Sequence, residues 1–135
     1  MGYDDYKQRR QQWLAQIEAF YTQVLQWLGE YADKGMLRYE FLPLLRTEEL
    51  LGSYTTRSMK IKLGSQRVTL TPVGATLGSD SNRIDLEGHR GKVRFVLTGT
   101  PQPTWKIAGK AEGGADYADF NTDNFFEALL EVSSD

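Results

Sequence analysis

Cysteine is absent from the chain. That excludes a disulfide framework, a thiolate zinc site and a cysteine nucleophile, and it fits a cytoplasmic setting. Histidine, the common general base and metal ligand, occurs once, as His89. It lies in the glycine-flanked loop Gly88-His89-Arg90-Gly91 and reads as a solvated turn residue. No Ser-x-x-Lys or Gly-x-Ser-x-Gly element supplies a nucleophile to join it. The glycines do not fall in the spacing of a phosphate-binding loop. The start of the chain has no basic segment followed by an apolar run, so no signal peptide is expected. No stretch approaches the ~20 consecutive apolar residues of a membrane span. No catalytic set is recognisable, so the expectation is a soluble, non-enzymatic protein with no cofactor and no metal, and an enzyme using His89 with Asp85 or an acidic metal site is the third reading.

What the chain does have is apolar residues at 40% and aromatics at 12%, enough for a folded core. A length of 135 residues suits one domain spanning residues 1–135. Its first part is the most strongly patterned. Leu14, Ile17, Tyr21, Val24, Leu28 and Tyr31 recur in steps of three and four, and Trp13, Phe20 and Trp27 form a second row beside them. Together they cover an arc of about 160°, wider than a coiled-coil seam. The spacing predicts a helix over 3–33, about 45 Å long, with Gly35 as its stop.

Residues 36–110 read as β-rich. Tyr39 and Phe41 alternate with charged neighbours in a short strand that is expected to end before Pro43, because proline cannot donate to a ladder. Thr47 is expected to cap a helical turn that ends at Gly52. Met59 and Ile61 pair across the Gly64-Ser65 turn with Val68 and Leu70. Ile84 and Leu86 pair with Val93, Phe95 and Leu97 across the second loop. Trp105 and Ile107 suggest an edge strand. Asn121 or Thr122 caps a final helix over 121–132. The predicted architecture is α+β: a long N-terminal helix, an antiparallel sheet of about five strands, strongly curled or barrel-like, and a short C-terminal helix.

The net charge of −2 hides an uneven distribution. Residues 54–110 hold ten basic against three acidic residues, and 111–135 hold seven acidic and no basic ones. The Gly64-Ser65 turn sets Lys62 opposite Arg67, like charges that repel across a sheet by a few tenths to about 1 kcal/mol. An anion relieves that repulsion, so Lys60, Lys62, Arg67 and Arg90 form a candidate site for a phosphate ligand or nucleic acid. In the second hairpin, Glu87 faces Lys92 and Asp85 faces Arg94, which accounts for two bases structurally. Glu112, Asp116, Asp119, Asp123 and Glu127 read as a solvated acidic face. The alternative of a cation site lacks EF-hand spacing.

A 45 Å helix overhangs a five-stranded sheet about 24 Å wide. The overhang is expected to expose Tyr3, Tyr6, Arg10 and Trp13 as a partner-binding surface. The function this favours is a protein-interaction module, an adaptor, accessory subunit or inhibitor, self-associating as a homodimer through the helix. Binding of nucleic acid or a phosphate ligand on the basic sheet face is the alternative, and no membrane partner is expected.

Overall fold

The computed structural model describes residues 3–48, 51–74, 82–99, 102–108 and 117–133, with side chains from residue 7 onward. Helix α1 (Tyr3–Asp33) is followed by strands β1 (Arg38–Glu48), β2 (Gly52–Leu63), β3 (Gln66–Val73), β4 (Arg83–Gly88), β5 (Gly91–Thr98), β6 (Thr104–Ala108) and β7 (Tyr117–Asp119). Helix α2 (Thr122–Ser133) closes the order. The predicted α+β arrangement with two flanking helices is present. Among the described residues, however, the sheet is an antiparallel meander of seven strands in sequence order, not about five, and it is open rather than barrel-like, with β1 and β7 as its edges.

The sheet departs from the sequence expectation at both of its edges, where β1 is longer than expected and β7 is an additional strand. Pro43 does not end β1. The strand pairs with β2 from Arg38↔Lys62 through Glu48↔Gly52, and an edge strand tolerates a residue that cannot donate toward a neighbour. The helical turn expected from Thr47 to Gly52 is instead the end of this hairpin. Thr47 faces Ser53 in the ladder, their hydroxyls are 2.8 Å apart, and Gly52 takes a φ of 72°. At the other edge, β7 pairs Ala118 with Ile107, so β6 is internal where an edge was expected.

Helix α1 ends as its sequence implies. Gly35 adopts a φ of 74°, and the Met36 amide reaches back to the Tyr31 carbonyl at 2.9 Å, which satisfies orphan carbonyls of the last turn. Its two apolar rows find different partners. Phe20 meets Phe95, Trp105 and Phe120 with ring centroids 5.3, 5.0 and 4.9 Å away. Trp27 meets Phe120 and Phe125. Ile17, Tyr21, Val24 and Leu28 are fully buried in the same core as Met59, Ile61, Leu70, Ile84 and Leu86. The Asn121 side chain caps α2 by accepting from the Asn124 amide at 2.9 Å. Phe125 of α2 and Phe20 of α1 both pack on Phe95, so the helices share one face of the sheet. The opposite face carries Lys60, Lys62, Arg67, Glu87, Lys92 and Arg94, all exposed.

The overhang of α1 does not reach Trp13. Strand β2 buries Tyr54 and Ser58 along its first half, then Met59 and Ile61 along its second. The phase of burial therefore slips by one residue at Ser58-Met59, and the long β1–β2 hairpin turns a different face toward the helix. Its far end meets the N-terminal half of α1. Trp13 is fully buried, donates from Nε1 to the Tyr54 hydroxyl at 3.1 Å and packs 6.0 Å from Trp105. Arg10 donates from Nη1 to the Leu51 carbonyl at 3.1 Å.

Candidate functional site

Register decides which charges meet on the outer face. Lys62 sits between Arg38 of β1 and Arg67 of β3. Three cations thus form one row across three adjacent strands, within about 10 Å at ~4.8 Å per strand. Among the described residues none of the three has an ion pair or a side-chain hydrogen bond. Lys60 lies one pleat repeat away on β2 and faces Glu40 and Thr69 in register. A depression of about 340 Å³ opens among Arg38, Glu40, Lys60, Lys62 and Arg67. A second one, of about 280 Å³, shares Arg38 and Lys62 with it and reaches Gly35 at the end of α1.

The rest of that face is neutralised internally. Asp85 is buried and accepts from Arg83 Nε at 3.1 Å, with Arg94 Nε at 3.8 Å and Lys92 Nζ at 4.0 Å. Lys92 also pairs with Glu87 at 3.5 Å. Lys106 of β6 holds Asp119 of β7 at 2.7 Å, and this hydrogen bond keeps the Asp119 carboxyl below its ordinary range. The expected pairs Asp85↔Arg94 and Glu87↔Lys92 are both present in the ladder.

Of the anion-site residues expected from sequence, Lys60, Lys62 and Arg67 come together. Arg90 does not join them. Its amide donates to the Val132 carbonyl at 2.9 Å, and it borders a hollow with Glu127, Leu130 and Glu131 of α2. Arg38 is the member that sequence reasoning missed. Its outward position opposite Lys62 becomes readable only once β1 is known to continue through Pro43 and pair with β2. His89 is exposed in the β4–β5 turn, and among the described residues no hydrogen bond joins it to Asp85.

The partner-binding set divides differently. Trp13 is part of the core and Arg10 is tied to the β1–β2 connection, so neither belongs to a free overhanging face. The side chains of Tyr3 and Tyr6 lie outside the described residues. In the acidic segment, Glu112 and Asp116 also lie outside them. Among the described residues no group of three or more histidine, cysteine or carboxylate side chains is placed to hold a metal ion. No described helix is long and apolar enough to cross a membrane.

A larger hollow, of about 480 Å³, lies between α2 and the β5–β7 strands. Its lining balances Lys92 and Arg94 against Glu127 and Glu131, so it has no net charge to attract a ligand. The smaller outer-face depression has that excess. Near Glu48 a second polar group is concentrated, but every member is engaged. The Glu48 carboxylate accepts from Arg46 Nε at 3.1 Å, from the Tyr54 hydroxyl at 3.0 Å and from the Gly74 amide at 3.0 Å. Burial pushes the Tyr54 hydroxyl up to about 12. This cluster ties β1, β2 and the end of β3 to α1 and leaves no free valence for a ligand. Comparison with family models, with curated proteins and with solved structures finds no match for this chain.

Proposed function

We propose that this protein is a binding protein for a phosphate-bearing anion, held on the outer face of the sheet by Arg38, Lys62 and Arg67, with Lys60 beside them. The observation that carries this reading is the row of three cations in one cross-strand register, none of them in an ion pair among the described residues. Like charges placed directly opposite each other oppose folding, and the other described cations of the outer face sit beside carboxylates. A phosphate repays the repulsion, and the planar guanidinium groups of Arg38 and Arg67 suit bidentate contacts with its oxygens. Calorimetric titration of the protein with pyrophosphate at low salt is expected to show saturable binding. That binding should weaken as salt rises and disappear in Lys62→Glu combined with Arg67→Glu. Binding that survives the double reversal would refute the site.

A protein partner remains the second reading, and its location moves. Leu45 is 73% exposed and Met36 61%, on or beside the open edge strand β1 rather than on α1. Pro43 at the middle of that strand cannot donate a backbone hydrogen bond to an added strand, so side-chain docking is favoured over strand addition. Light scattering coupled to size exclusion tests self-association. A homodimer built on this edge dissociates in Leu45→Glu, and a monomer at high concentration removes the homodimer form.

A further inference from the structure

The charge pattern around the row limits what can occupy it. One pleat repeat along the sheet, the next cross-strand row reads Glu40–Lys60–Thr69–Glu87–Lys92, with two acids against two bases. The row after that centres on Asp85, which Arg83, Arg94 and Lys92 already surround. The row of three cations itself spans about 10 Å across three strands, comparable to one screening length in physiological salt. A nucleic-acid strand laid on Arg38, Lys62 and Arg67 would next cross a row with no net charge. Tyr39 of β1 is exposed and lines the depression, but it sits opposite the buried Ile61 on the other pleat parity and packs edge-on against Phe41 at 6.1 Å. No aromatic residue holds an outward position on β2 or β3 beside the row to stack bases.

Glu40 adds a second constraint. It is exposed on β1 two residues from Arg38, about 7 Å along the strand. It lines the same depression and makes no ion pair or hydrogen bond among the described residues. A carboxylate can only accept hydrogen bonds. It repels a second phosphate at that rim and attracts a donor. The depression is thus polarised, anion-seeking at the Arg38–Lys62–Arg67 end and donor-seeking at Glu40.

We infer that the site takes a compact phosphomonoester whose organic end carries hydroxyl donors. Its phosphate rests on Arg38, Lys62 and Arg67, and its hydroxyls donate to Glu40. This rests on the anion-binding reading above and adds the ligand's size and its polarity.

Two small probes and one polymer test it on the full chain: glycerol phosphate, methyl phosphate and an oligothymidylate, with inorganic phosphate as reference. Glycerol phosphate is expected to bind about tenfold tighter than methyl phosphate, the gain of a hydrogen bond to a charged acceptor. In Glu40→Gln that ratio falls toward one while methyl phosphate binds more tightly, because the repulsive carboxylate is gone. Glu40 is exposed on an edge strand, so an unchanged melting temperature certifies the variant's fold. Equal affinity for the two monoesters in the original chain overturns the inference, as does an unchanged ratio in Glu40→Gln. Tighter binding of oligothymidylate than of either monoester also overturns it. If inorganic phosphate binds but the monoesters are not distinguished, only this inference fails. If no phosphate binds, the anion reading falls with it.

Discussion

At the scale of single residues, the row of cations and the buried cluster behave in opposite ways. Lys62 lies between two arginines, and each like-charged cross-strand pair costs roughly 0.2–1 kcal/mol. Lys62→Thr removes both repulsions and adds a good strand former. It is expected to raise the melting temperature by several degrees while abolishing phosphate binding. Lys60→Thr is the control, because Lys60 faces Glu40; it should leave the melting temperature unchanged or lower it. Glu48, by contrast, has every bond it needs. A Cβ on Gly74 would collide with the Glu48 carboxylate and with Leu51. Gly74→Ala is therefore expected to destabilise by about 1–3 kcal/mol in chemical denaturation, as overpacking does. Tyr54 carries a pH prediction. Its folded value, raised from 10.0 to about 12 mainly by burial, means that the native state holds its proton longer than the unfolded chain. Its contribution is complete below pH 10.0 and lost as pH rises toward about 12. Tyr21 is shifted in the same direction by burial. Denaturation monitored against pH should show stability falling across this window, with a smaller fall in Tyr54→Phe.

At the scale of elements, sequence patterning and structure agree where the signal is local. The steps of three and four from Leu14 to Tyr31 define α1, and Gly35 ends it in the expected left-handed conformation. The Gly64-Ser65 turn and the loop at His89 set the registers that place Lys62 opposite Arg67 and Asp85 opposite Arg94. Legibility fails where a residue's meaning depends on a distant neighbour. Pro43 stops a central strand but not an edge strand, and nothing local says that β1 is an edge. Thr47 and Gly52 suit a helix cap and stop as well as a hairpin end, and only the partner strand decides between them. Tyr117–Asp119 is too short a strand to show a period. Arg38 was hidden for the same reason, so the candidate site was three-quarters legible at Lys60, Lys62 and Arg67 but lacked its fourth cation. Trp13 illustrates the converse. Its place in the aromatic row was legible, but its burial depends on the β1–β2 hairpin turning over the helix. The element-scale prediction concerns Phe20, which contacts Tyr21, Phe95, Trp105 and Phe120. Phe20→Ala joins α1 and the sheet less tightly and should cost about 3–5 kcal/mol.

At the scale of the whole molecule, among the described residues two helices cover one face of an open seven-stranded sheet, and Lys60, Lys62, Arg67, Glu87, Lys92 and Arg94 are exposed on the other. Most of that outer face is neutralised by carboxylates from its own strands. The exception is the end where β1, β2 and β3 place Arg38, Lys62 and Arg67 in line beside a depression, with Glu40 on its rim. The most direct test is amide chemical-shift mapping of the isotopically labelled full chain during titration with pyrophosphate. The largest changes are expected on residues 38–40 and 60–67, saturating together. Changes centred on the hollow between α2 and β5–β7, or no saturable change anywhere, would contradict it.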